Sequence, residues 1–190
     1  CSSDLMAGVR FAVGREGNAK YNETKNGIRT DTKHKQLDKS IDAYQVTGDA
    51  ASGVLFGVQN SPLGQQGEPD ESIQGYCFRL CMTRDPKNRI PMGKPANYDA
   101  THYELQRRYI QAGGVINAPG ASVPSGKTDP GSWHSLASNF TGWNHTYPIA
   151  SYAEREEMLR SSRDYIQGVY WFMAHDEAVP AKQRDAWAAW

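Results

Sequence analysis

A chain of 190 residues is long enough for one domain with a packed core, and 38% hydrophobic with 22% charged residues is the profile of an ordinary soluble globular protein. Lys and Arg total 21 against 21 for Asp and Glu, so the net charge is zero, without the basic excess of a dedicated nucleic-acid binder. No apolar run approaches the ~20 residues of a membrane span, and no basic region followed by an apolar stretch opens the chain as a signal peptide.

The chain begins Cys1-Ser2-Ser3-Asp4-Leu5 rather than with Met. Residues 1–5 are read as cloning or assembly sequence, with genuine sequence from about Met6. Phe11 to Glu16 starts apolar and turns at Gly14, which predicts a strand leading into a charged loop. Gly17 to Asp38 is polar and reads as loop or edge structure. Ser40 to Asn60 carries Ile41, Tyr44, Val46, Val54, Leu55, Phe56 and Val58. It predicts a helix or strand, a turn at Gly48-Asp49, and a buried run near Val54. Pro62 to Ser72 is a Gly- and Pro-marked loop.

Ile73 to Thr83 is the most strand-like segment. Gln74, Tyr76, Phe78, Leu80 and Met82 fall on one largely apolar face, which predicts contact with the core. Ile73, Gly75, Cys77, Arg79, Cys81 and Thr83 fall on the other. Arg84 to Pro95 reads as a loop. Asp99 to Ala112 predicts a helix, with Asp99 as cap, Thr101 and Glu104 at capping-box spacing, and Gly113-Gly114 as terminator. Val115 to Tyr147 is irregular.

Ser151 to Ala174 is the strongest helix, with Ser151 and Glu154 as a capping box and Met158, Leu159, Ile166, Val169, Tyr170 and Met173 at helical spacing. Pro180 breaks it, and Gln183 to Trp190 forms the last helix. Trp187 and Trp190, at i and i+3, predict an apolar face that packs on elements outside this chain. Strands and helices without strict alternation indicate an α+β fold, mixed strands with several helices, truncated at both ends.

The motif search yields little complete chemistry. No G-x-G-x-x-G and no P-loop is present, so there is no whole phosphate cradle; Gly14-Arg15-Glu16-Gly17 lacks the spacing. Cys77 and Cys81 offer two thiolates where a zinc ribbon or iron–sulfur cluster wants four ligands, so they read as buried thiols in a reducing compartment. No metal site is assigned. The histidines are scattered, and His134 stands out because it lies in an aromatic, Asn-rich irregular stretch. The sequons at Asn22, Asn139 and Asn144 match a short motif that recurs by chance. Arg79 is open to two readings: an ion pair with a carboxylate such as Glu16 or Asp85, or an anchor for an anionic substrate group.

Taken together, several strings resemble one family. They are Val13 to Asn18 with Tyr21 and Glu23; Ile73 to Thr83; Pro95 with Tyr98-Asp99 and Tyr103-Glu104-Leu105; Gly142-Trp143-Asn144 with Tyr147-Pro148; and Tyr152-Ala153 with Arg155, Asp164-Tyr165, Gly168 and Val179-Pro180. In order and spacing they resemble the bacterial FAD-dependent oxidoreductases grouped with the A-type heterodisulfide reductase proteins, over nearly the whole chain from Met6. The resemblance implies that residues 6–190 are a partial substrate-side domain, with linking helices, of a two-domain flavoprotein. The partner domain, which binds FAD, would be a missing part of the same polypeptide. The cofactor would be FAD. A 4Fe-4S cluster also goes with the family, but Cys77 and Cys81 supply too few ligands for one.

On that reading the complete enzyme passes a hydride or electrons between a small-molecule substrate and FAD, while this piece alone is inactive. Arg79, Gln74, Tyr76, Trp143, Asn144 and His134 are the candidate substrate-binding residues, with Arg15 toward the cofactor; no catalytic residue is assigned. In a regular strand Arg79 cannot share a side with Gln74 and Tyr76. A rival reading is a non-enzymatic carbohydrate-binding or accessory domain, on the aromatic cluster Trp133, Phe140, Trp143 and Tyr147.

Overall fold

The computed structural model describes residues 7–33, 36–131 and 133–190. Residues 1–5 and His34 lie outside that set. In chain order the elements are β1 (Tyr44–Val46), β2 (Asp49–Val54), β3 (Met82–Thr83), α1 (Glu104–Gln111), β4 (Lys127–Thr128), α2 (Tyr152–His175) and α3 (Ala181–Ala188). Single 3-10 turns add Asn18–Lys20 and Ala100–Tyr103, the latter running straight into α1. The fold is α+β: β1 and β2 form one antiparallel pair and β3 and β4 another. No helix among the described residues is long and apolar enough to cross a membrane.

The core belongs to the helices. Ser151 accepts from the Glu154 N–H while the Glu154 carboxylate accepts from the Ser151 N–H, so the predicted capping box opens α2. Ile166, Val169, Tyr170, Phe172 and Met173 are the buried stripe of that helix. Tyr103 crosses it where Gly168 leaves room; a Cβ at Gly168 would overlap the Tyr103 hydroxyl. The Tyr103 ring stacks on Tyr98, Tyr165 and Phe172, and its hydroxyl donates to the Tyr165 carbonyl.

Ahead of α1, Asp99 caps the 3-10 turn by accepting from the Thr101 N–H. The expected Thr101–Glu104 capping box does not form. Thr101 Oγ1 donates to Asp99, and the Glu104 carboxylate is claimed by Arg107 and Arg108. Gly113, at φ 85°, ends the helix as its sequence predicts.

The tryptophans of the last helix are covered by residues of this chain. Pro180 starts the helix, Trp187 is 2% exposed and Trp190 4%, and the Trp187 Nε1–H donates to the Ile116 carbonyl at 3.0 Å. Tyr170 and Trp133 flank Trp187, and the Arg84 guanidinium lies 4.2 Å from the Trp190 ring. The expectation that these tryptophans pack elsewhere is corrected: Ile116 and Trp133, from the irregular stretch after α1, fold back to cover Trp187, which no helical period reveals.

The strand predictions fare unevenly. Gly48, at φ 80°, closes the β1–β2 hairpin with Tyr44 opposite Val54, and Leu55 behind it is buried. Phe11–Glu16 is not a strand. It keeps one antiparallel bridge, Arg15 to Asp70, and Phe11 is exposed. Around it Asn18 and Ile28 donate backbone bonds to Gly67 and Glu68, tying residues 15–28 to the 65–70 loop. Ile73–Thr83 shortens to Met82–Thr83, because β4 pairs with those two residues alone. Alternation survives without the ladder in its second part: Phe78, Leu80 and Met82 pack on the core while Arg79 and Cys81 are exposed. Gln74 and Tyr76 do not face the core as the two-residue period predicts. Nor are the cysteines buried thiols: Cys77 is half-buried and Cys81 exposed.

Candidate functional site

Four of the residues singled out by sequence meet in one patch. Residues 74–76 run beside the turns of 140–150. The Asn144 amide, fully buried, donates to the Gln74 carbonyl at 2.8 Å. The Trp143 indole points its N–H at the Tyr76 carbonyl, 3.4 Å away, and the rings of Tyr76, Trp143 and Tyr147 stand edge to face at 5.9–6.3 Å. The contact to Gln74 is through its backbone, so the side chain is left at the surface. The Asn144 Oδ1 is buried without a protein partner, a costly state that water or a ligand group relieves. Arg155, donating to the Tyr147 and Pro148 carbonyls, fixes this turn on the first turn of α2.

The other candidates are held elsewhere. Arg79 makes a two-pronged ion pair with Asp129, 3.0 and 2.7 Å, rather than with Glu16 or Asp85. That hydrogen bond holds the Asp129 carboxyl below its usual range and raises the guanidinium. Both side chains are well exposed, so the pair is a surface one. His134 accepts the Leu136 N–H on Nδ1 and leans on Tyr109. Arg15 donates to the Asn26 and Lys25 carbonyls and so braces its own loop. The aromatic cluster behind the carbohydrate reading is likewise dispersed. Trp133 packs with Trp187, and Phe140 stacks on Tyr165.

None of the candidate binding residues, Arg15 included, lines the two cavities beside α1 and α2. One, of about 710 Å³, opens between the β1–β2 hairpin and the start of α1, lined by Val54, Leu55, Phe56, His102 and Arg107 among others. A second, of about 340 Å³, shares Phe56 and His102 with it and continues over Tyr103, Phe140 and Tyr165 to the outer face of α2. Phe56 stacks on His102 at 3.8 Å between ring centres and divides the two. Sequence reading places Phe56 in a buried run and Tyr165 in a family string, but the pairing of these distant rings has no local signal. Burial raises the Tyr103 and Tyr165 phenols, which stay neutral.

The sequence model of the FAD dependent oxidoreductase family matches residues 4–189. The chain belongs to the FAD-dependent oxidoreductase family. No curated protein and no solved structure matches it. Membership brings redox function and FAD in general terms, and the described residues can be tested against that cofactor. A dinucleotide cradle uses a strand, a glycine-rich turn and an open helix N-terminus facing the pyrophosphate. Here the two strand pairs are antiparallel, the openings of the Ala100–Tyr103 turn and of α2 are each taken by a carboxylate of the chain itself, Asp99 and Glu154, and the uncapped start of α3 follows a helix rather than a strand and glycine-rich turn. The described residues therefore do not fit the phosphate-binding half of FAD. Nor is any group of three or more His, Cys, Asp and Glu among them placed to hold a metal ion, and a 4Fe-4S cluster gains no support.

Proposed function

We propose that this family member supplies the substrate-side portion of a flavoenzyme, and that the FAD-binding domain is another part of the same polypeptide. One observation carries the reading: a family match spans residues 4–189, and the described residues among them build no dinucleotide cradle. In the complete enzyme a hydride or electrons pass between a small molecule and FAD, which supplies the redox chemistry. The part played by this chain is to bind and orient the substrate and to keep water away. By itself it is inactive. Within the family we group it with the A-type heterodisulfide reductase proteins, on the ordered strings from Val13 to Pro180.

Gln74, Tyr76, Trp143 and Asn144 are proposed as a substrate-facing patch, supported by their convergence and by the unpartnered Asn144 carbonyl oxygen. Arg79 and His134 are proposed as further substrate-binding residues apart from that patch, and Arg15 as a residue toward the cofactor. The test is the visible spectrum of the full-length protein purified from the parent gene. A two-banded flavin spectrum that bleaches with dithionite supports the reading. A protein that is colourless, and stays so after incubation with FAD, overturns it.

A further inference from the structure

Asn26-Gly27 is the one Asn-Gly pair in the chain. Such a pair is chemically labile, because glycine has no Cβ to keep its backbone nitrogen away from the preceding side chain. The Gly27 nitrogen attacks Asn26 Cγ and forms a new N–C bond. The side-chain amide C–N bond breaks, and its nitrogen leaves as ammonia with the Gly27 proton. Water then opens the resulting succinimide to isoaspartate or aspartate, with no change of oxidation state.

The fold restrains every group in that step. The Gly27 N–H donates to Asn18 Oδ1 at 3.0 Å, and the Asn26 side-chain amide donates to the Glu23 carboxylate. The Asn26 carbonyl accepts from Arg15 Nε at 2.8 Å. Gly27 is buried against the Gly67 carbonyl, which leaves no space for a Cβ, and Ile28 exchanges backbone bonds with Gly67 and Glu68 at 2.9 Å. The attacking nitrogen is released only when residues 15–28 open from the 65–70 loop, a local event in a region held by polar ties.

We propose that Asn26 is a site of spontaneous deamidation, masked in the folded chain and uncovered by that opening. Isoaspartate routes the main chain through the side chain and lengthens it by one methylene. Gly27 has no room for the addition, and Ile28 loses its register with Gly67 and Glu68. A transient opening is thereby converted into a permanent one.

The test is peptide mapping by mass spectrometry of the chain aged at mildly alkaline pH, folded in buffer and unfolded in guanidinium chloride, with helical circular dichroism confirming each state. The segment around residue 26 gains one mass unit and isoaspartate, at least about tenfold faster in the unfolded chain. Asn18→Ala, which frees the Gly27 N–H, speeds the folded chain by about fivefold, the worth of one hydrogen bond, whereas Asn18→Asp keeps an acceptor oxygen and the slow rate. Equal rates in the folded and unfolded chain, no isoaspartate in the unfolded chain, or equal rates in the two Asn18 variants overturns the masked site. Chain aged unfolded and then refolded is cut by trypsin after Lys20 faster than fresh chain, with the helical signal retained. Equal cutting overturns the permanent opening.

Discussion

The two ends of this chain are stabilised by different forces. From Tyr98 onward the chain buries a continuous apolar core: Tyr103, Ile110, Ile116, Phe172, Met173, Val179 and Trp187 are at most 7% exposed. Before it, among the described residues, Ile28 and Leu55 are the buried hydrophobics. That earlier region lays half-buried Leu37, Ile41, Phe78, Leu80, Met82 and Met92 against the core and is otherwise held by polar ties. Arg15 bridges to Asp70, Asp42 accepts the Tyr44 and Gly48 N–H groups, and Arg108 reaches across from α1 to the carbonyls of Asp42, Tyr44 and Gln45. Hydrophobic burial is non-directional and tolerant, whereas each polar tie is local and stands on its own geometry. The helical body is therefore the stable unit, and the region before it folds onto that body.

Substitutions in the core break this contrast most severely. Phe172→Ala removes a fully buried ring and costs about 4 kcal/mol, read from the urea midpoint with the helical signal. Gly168→Ala drives a methyl into Tyr103, and after the gain in helix propensity costs about 2 kcal/mol. Ser151→Ala, which removes the cap of α2, costs about 1 kcal/mol. If these three changes moved the midpoint equally, the core would not be the organising unit.

Arg108→Met separates the two regions. It cuts the tie to the hairpin, so limited proteolysis near residues 44–54 accelerates while the helical circular dichroism is retained. Acid acts on the same tie. The backbone N–H groups of Tyr44 and Gly48 hold the Asp42 carboxyl below its usual value, so its contribution is complete above about pH 4 and lost as the pH falls through the lower folded-state value. Hairpin proteolysis should rise in that window ahead of core unfolding. The smallest effect is Arg79→Ala. Its pair with Asp129 is exposed, so the unfolding midpoint stays put, and a change in KM or kcat of the full enzyme reports a substrate role.

The same contrast explains what was legible in the sequence. α2 is readable because its stripe repeats every three to four residues and its cap is a local motif. The turn at Gly48 is readable because positive φ favours glycine. Ile73–Thr83 misleads because alternation reports which face is apolar, not whether a neighbour exists to complete the ladder. Phe11–Glu16 fails for the same reason, finding Asp70 alone. Asn144 and Trp143 meet the backbone of Gln74 and Tyr76 from far along the chain, and Arg79 turns to Asp129, fifty residues on; no spacing discloses either contact. The aromatic cavity joins Phe56, Phe140 and Tyr165 from three separate segments and was invisible for that reason.

The most direct test of the division of labour is to titrate this 190-residue chain with FAD, following flavin fluorescence, beside the full-length protein from the parent gene. The account predicts that the chain alone leaves the fluorescence unchanged while the full-length protein holds the flavin. Tight, stoichiometric FAD binding by the chain alone would contradict it, because the cradle would then lie within these residues.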